Sequence, residues 1–148
     1  MRIKKILLPT DLSPASISAF KYAKSLAEKY GASIYVLYIL ENIPILAIHG
    51  LDLTLERVEK NMEENAKQQL EKIVKENLKT KSKVQIFIRK GVVDDEILKF
   101  ADEKKVDLIV MGTHGRTGIE YTLLGSITEK IVRKAKCPVL TIKPEKQK

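Results

Sequence analysis

Tryptophan is absent from this chain, and cysteine occurs once, as Cys137. A single thiol builds neither an internal disulfide framework nor a clustered-cysteine zinc site, so the fold has to be held by buried apolar surface. Aromatic residues are few, three Phe and five Tyr, with no sustained basic-aromatic alternation of the kind single-strand binders use. The stacking platform of a single-strand nucleic-acid binder is therefore missing. No apolar run reaches the roughly 20 residues of a membrane helix. The opening Met1-Arg2-Ile3-Lys4-Lys5 lacks the layout of a signal peptide. A cytoplasmic protein is the expectation. Also missing is Gly-x4-Gly-Lys-Ser/Thr, the loop that stations a lysine on terminal phosphates. No residue stands ready to orient an attacking water beside an arginine finger. Any nucleotide hydrolysis is expected to be slow, and no catalytic residue is assigned.

What is present fits one globular domain spanning residues 1–148, with 44% hydrophobic and 31% charged residues. The formal charge is +8. From Glu56 to Lys83, however, lysines and glutamates interleave, which spreads much of the excess over solvated faces. Nucleic-acid binding would rest on charge alone and is not expected.

Along the chain, Ile3 to Leu8 reads as a first strand ending at Pro9-Thr10-Asp11. Ser13-Pro14 supplies a cap and a first-turn proline for a helix. Its buried face is Ile17, Phe20, Ala23, Ala27 and Tyr30, and Gly31 stops it. Ser33 to Leu40 is a second strand, covered on both faces. Glu41 to Gly50, with Pro44 and a surface His49, has little pattern and reads as a flap. Leu51 to Leu78 is a long helix with an apolar stripe of Leu55, Val58, Met62, Ala66, Leu70, Ile73 and Leu78, packed on its own sheet. Lys83 to Arg89 is strand three, and Gly91 turns the chain. Asp94 or Asp95 opens a helix with Ile97, Leu98 and Ala101 inward. The acids Asp94, Asp95 and Glu96 complement its dipole. Val106 to Met111 is strand four, Ile127 to Ala135 a last helix, and Val139 to Ile142 strand five. Cys137 is expected to be buried and inert, and the tail from Lys143 to Lys148 frayed.

Strands alternating with helices give a doubly wound α/β fold: a five-stranded parallel sheet with helices on both faces, Rossmann-like. The expected order is 3-2-1-4-5, in which winding reverses between strands one and four. Ligands bind outside the carboxyl ends of strands at such a reversal. Strand one ends there at Pro9-Thr10-Asp11 and strand four at Met111-Gly112.

The stretch from Met111 to Thr128 carries Gly112, Gly115 and Gly125, with Ser126 after the last. Glycines let backbone approach a ligand closely, and a helix start offers unpaired N–H groups to phosphate. The same residues also fit turn glycines before a capped helix. Ser126-Ile127-Thr128-Glu129 matches a capping box, with Glu129 reaching back.

These residues resemble the universal stress protein family in its ATP-binding branch. Its glycine pattern is Gly, two residues, Gly, nine residues, Gly, then Ser or Thr; here it is Gly112, Gly115, Gly125 and Ser126. Pro9, Thr10, Asp11 and Ser13 match the end of its first strand, and Cys137-Pro138-Val139-Leu140 its close. The likeness covers essentially the whole chain, apart from Glu41 to Leu55. It implies a nucleotide-dependent sensor or switch in stress response that binds ATP. A divalent cation (Mg or Mn) would ride on the phosphates, with its protein ligands open. Pro9, Thr10 and Asp11 would border adenosine, and Ile39 would contact the base. Met111, Gly112, His114 and Gly115 would line ribose and phosphates. Gly125, Ser126, Ile127 and Thr128 would hold the phosphate tail. Arg116 either reaches phosphate with its fork or stays solvated. His114 either donates to phosphate or caps the loop. Asp11 either holds a metal through water or caps the next helix. The alternatives are a slow ATPase and a dimerisation module without nucleotide. A homodimer through Val139 to Ile142 is expected, since an unpaired edge invites pairing, and the protein partner is unknown.

Overall fold

The computed structural model describes residues 1–44, 54–114 and 124–145. The flap residues after Pro44, the opening of the long helix before Thr54, His49, Gly115, Arg116 and the last three lysine-rich tail positions lie outside them. The chain runs β1 (Lys5–Pro9), α1 (Pro14–Ile17), α2 (Phe20–Tyr30), β2 (Ser33–Leu40), α3 (Leu55–Asn77), β3 (Val84–Lys90), α4 (Val93–Lys104), β4 (Leu108–Gly112), α5 (Ser126–Lys134) and β5 (Val139–Ile142). All strand pairs are parallel, in the order β3-β2-β1-β4-β5. This is the doubly wound order, with the reversal between β1 and β4.

Alternation along each strand feeds two cores. Ile6, Leu8, Ile34, Val36 and Val110 face Phe20, Ala23, Ala27 and Leu70 of α2 and α3. Leu7, Leu37, Ile39, Ile109 and Met111 face Ile97, Phe100, Ala101 and Ile131 of α4 and α5. Helices thus cover both faces, which is why the inner strands are apolar at consecutive positions.

Several expectations shift. The first helix is two: α1 and α2 are separated at Ser18 and Ala19. The Ser18 hydroxyl donates to Ala15 O at 2.6 Å, the carbonyl that Ala19 N–H would take in a continuous helix. Ala19 N–H bonds Ser16 O instead, at 3.2 Å. A serine competing for its own backbone breaks the ladder. Tyr30 is 47% exposed rather than inward, and the long apolar stripe is buried only at Ala66, Leu70 and Leu78, with Met62 42% exposed. The cap of α3 is Thr54, which accepts from Arg57 N–H at 3.3 Å. α4 starts from Val92, so Asp94, Asp95 and Glu96 fill its first turn. It ends in a left-handed Lys105 (φ 52), with Val106 N–H bonded back to Ala101 O at 2.9 Å. Val106 therefore belongs to the helix stop, and β4 begins at Leu108. Between them, the Asp107 carboxylate takes the N–H groups of Lys4 and Lys5 at 2.8 and 2.9 Å, pinning the start of β1 to that of β4. β5 runs over the expected residues.

Candidate functional site

Each strand end at the carboxyl crest is fixed by the next backbone bond of the ladder. Thr10 N–H donates to Leu37 O at 3.0 Å, and Thr113 N–H to Ile142 O at 2.9 Å. β1 thereby hands over to its loop beside β2, and β4 to its loop beside β5. The β1 loop is internally bonded. Asp11 Oδ1 accepts from Ser13 N–H at 2.9 Å, and Ser13 Oγ from Ser16 N–H at 3.2 Å. Asp11 thus makes an Asx turn ahead of α1. The buried Thr10 hydroxyl accepts from Leu12 N–H at 3.0 Å and pairs with Ser16 Oγ at 2.8 Å. Ser16 in turn donates to Ser13 O at 3.0 Å, so the proton between the two hydroxyls comes from Thr10. Leu12 sits at φ 67, a left-handed conformation rare for a branched side chain. The bonds around it hold that strain.

Across the crest, α5 is docked on the end of β4 by its own first turn. Gly125 N–H donates to Thr113 O at 2.7 Å, and the buried Thr128 hydroxyl donates to Gly112 O at 3.0 Å. The capping box does not form. Gly125 is the cap (φ −66, ψ 159) with no side-chain bond, and Ser126 is the first helical residue. Glu129 pairs forward with Arg133 at 2.7 Å instead of reaching back. The Gly125 N–H bond to Thr113 O fixes the cap position one residue before the expected serine, and no side chain caps the first turn. The first rung of the helix is Glu129 N–H to Gly125 O at 2.9 Å. The N–H groups of Ser126, Ile127 and Thr128 therefore precede the ladder and stand at the positive end of the helix dipole. Ser126 is exposed.

The two described glycines of the motif differ in cause. A Cβ on Gly112 would lie 2.8 Å from the carbonyl oxygen of Ala15. The missing side chain lets the backbone of α1 press against β4. At Gly125 a Cβ would meet Thr113 O at 3.2 Å, so the helix start approaches the β4 loop closely.

Pro9, Thr10, Met111, Gly112, Gly125 and Thr128 are thus brought together at the β1–β4 reversal, with Asp11, Ser126, Ile127 and His114 beside them. His114 Nδ1 lies 2.9 Å from Thr113 Oγ1. Ile39, buried near the end of β2, is on the same sheet face as Met111. Thr113, Ser16 and Leu12 were not anticipated as parts of this site. A threonine directly after the strand-ending glycine was the available signal for Thr113, whereas the roles of Ser16 and Leu12 depend on loop geometry.

Other chemistry lies elsewhere. Arg89 bonds Glu103, drawing that carboxyl below its usual range, and its guanidinium stacks 4.9 Å from the Phe100 ring centre. Cys137 is half-buried, and burial pushes its thiol above the ordinary value. Among the described residues no group of three or more His, Cys, Asp and Glu could hold a metal ion. No described helix is long and apolar enough to cross a membrane. A cleft of about 230 Å3 lies on the opposite sheet face, between α3 and the ends of β2 and β3, lined by Leu40, Met62 and Ile88.

Residues 2–143 match the model of the universal stress protein family. Universal stress protein MJ0531 of Methanocaldococcus jannaschii is 37% identical over 144 residues, covering 97% of this chain and 84% of that protein. Universal stress protein MJ0577 of the same organism is 34% identical over 153 residues, 95% of this chain and 94% of its own length. Its solved structure superposes with a TM-score of 0.85 over 99% of this chain and 100% of that one. A universal stress protein solved in complex with cAMP shares the fold at 22% identity and a TM-score of 0.66, over 98% of this chain and 100% of its own.

Proposed function

Because the chain belongs to the universal stress protein family, we propose that it binds ATP at the β1–β4 crest and works as a nucleotide-dependent sensor or switch in stress response. One observation carries this reading. α5 begins at the winding reversal of the sheet, with the N–H groups of Ser126, Ile127 and Thr128 ahead of its hydrogen-bond ladder. A helix start at that place in an open α/β sheet is suited to phosphate. A protein of the same fold and family in complex with cAMP adds support for an adenine nucleotide.

In this reading Pro9, Thr10 and Asp11 border adenosine and Ile39 meets the base. Met111, Gly112, His114 and Gly115 line ribose and phosphates, and Gly125, Ser126 and Ile127 hold the phosphate tail, with Arg116 a further candidate for phosphate. Thr128 contributes through its N–H, because its hydroxyl proton already serves Gly112 O. The described residues offer no carboxylate cluster for a cation. Mg or Mn would therefore be held by the phosphates and water, with Asp11 as the acidic side chain beside them, and would neutralise phosphate charge. The homodimer would pair along β5, whose Leu140 is 37% exposed.

Thermal melting tests the reading. ATP at 100 times its dissociation constant stabilises by roughly 2.7 kcal/mol, which raises Tm by about 5–10 °C in a domain of this size. An unchanged Tm with ATP, with or without magnesium, contradicts the proposal. Phosphate release over hours of incubation would shift it to the slow ATPase.

A further inference from the structure

We propose that the rim of the sheet opposite the crest binds the phosphate backbone of double-stranded nucleic acid without sequence preference. Composition alone argues otherwise, because Lys and Glu interleave along Glu56 to Lys83. The fold, however, gathers loop bases at one end. Helices here run opposite to the strands, so their starts lie at the crest and their ends at the far rim. Acids occupy the first turns: Glu56 in α3, Asp94, Asp95 and Glu96 in α4, Glu129 in α5. The last turns mix Lys29, Lys75, Lys104, Arg133 and Lys134 with Glu28, Glu76, Asp102 and Glu103, so the excess of base at that end comes from the loops.

Helix dipoles account for those, but their influence fades within one turn. Arg2, Lys4, Lys79, Lys81, Lys83 and Lys105 lie outside the helices, all exposed, and none forms an ion pair among the described residues. Backbone bonds string them along one edge. Ile34 N–H bonds Lys83 O at 2.8 Å, Ser33 N–H bonds Lys4 O at 2.8 Å, and Lys5 Nζ bonds Lys104 O at 2.9 Å, next to Lys105. The row therefore crosses β3, β2, β1 and β4 in sheet order. Four strands about 4.8 Å apart make a row roughly 14 Å long. That matches about four base pairs of duplex at 3.4 Å per step.

The chemistry of the row selects the partner. A protein interface needs buried aromatic or apolar anchors. Of the exposed large hydrophobics among the described residues, Met1 beside Arg2 and Tyr30 beside Lys29 lie at this end, two single side chains rather than an apolar patch. Phosphate contact needs charge only. The loop row itself carries no aromatic to stack on bases, Tyr30 lying on α2 with Lys29 over its ring, so duplex is favoured over single strands.

Fluorescence anisotropy of the full chain with two 20-base-pair duplexes of unrelated sequence tests this. Five phosphate contacts predict a slope of log K against log salt near −4.5, a loss of roughly 500-fold between 50 and 200 mM salt. The two duplexes should bind equally. Replacing Lys4, Lys81 and Lys83 together by Gln should reduce the slope by about 2.7. The charge-matched Lys60→Gln, Lys67→Gln, Lys99→Gln variant should keep most of it. Lys81→Gln alone carries a third of the effect should the triple variant fail to fold. No binding at 50 mM salt, equal losses in both triple variants, or tighter binding to phosphatidylserine vesicles than to duplex at equal salt would each overturn the proposal.

Discussion

Replacing Thr128 by Val separates what holds the crest together from what holds a ligand there. The two side chains have nearly the same shape, so the change removes one hydroxyl and little volume. That hydroxyl is buried and donates to Gly112 O at 3.0 Å, joining the first turn of α5 to the last residue of β4. Losing it leaves a buried carbonyl without its side-chain donor, a cost of about 1–3 kcal/mol. With 1 kcal/mol worth roughly 2–4 °C at this chain length, Tm should fall by about 2–12 °C. The increase in Tm on adding saturating ATP should survive, because the Thr128 N–H is untouched. Ser126→Ala should behave in the opposite way. Ser126 is exposed, so the ligand-free protein should melt within about 0.5 kcal/mol of the parent. A lost hydroxyl bond to a charged phosphate should nevertheless weaken ATP binding about tenfold or more. Melts of both variants with and without ATP decide the matter. A Thr128→Val protein that melts like the parent yet no longer responds to ATP would refute the assignment of that hydroxyl to the fold.

Gly112→Ala should destabilise by about 1–3 kcal/mol, since the new methyl meets backbone of α1 rather than a side chain that could swing away; chemical denaturation measures it. Lys105→Gly should stabilise by about 1 kcal/mol, because it relieves the left-handed conformation at an exposed helix end, and a Tm below that of the parent would count against this. Gly115→Val, outside the described residues, should abolish ATP binding while the far-UV circular dichroism stays unchanged. Cys137, its thiol pushed up by burial, should alkylate more slowly than free glutathione at pH 8 and gain on it as pH rises; labelling followed by mass spectrometry reads the ratio.

The sheet order was legible because alternating strands and helices, joined by right-handed crossovers, leave few topologies. The bounds of β5 were legible because Pro138 marks its start and the charged tail its end. Local rivalries were harder to see. The capping box at Ser126 and Glu129 is sound as a pattern, yet Gly125 takes the cap position, held there by its own N–H bond to Thr113 O, 12 residues away in the chain. The break between α1 and α2 turns on which atom takes the Ala15 carbonyl, a contest that hydrophobic periodicity does not register. Periodicity also predicts which face of a helix is apolar without saying how far the sheet extends beneath it. Met62 and Tyr30 lie on the expected stripes and are exposed, while Phe100, on α4, is fully buried against Tyr35 and Phe87 and was not picked out. At the candidate site, the gathering of Pro9, Thr10, Met111, Gly112 and Gly125 followed from the topology. The cause of Gly112 did not, because it lies in the carbonyl of Ala15, nearly 100 positions earlier.

Titration of the isotopically labelled protein with ATP, followed through its backbone amide resonances, tests the account most directly. The N–H signals of Ser126, Ile127 and Thr128 should move together and saturate at one dissociation constant, while those around the cleft beside α3 stay in place. Saturable ATP binding that leaves the three amides unmoved and shifts the cleft instead would contradict it.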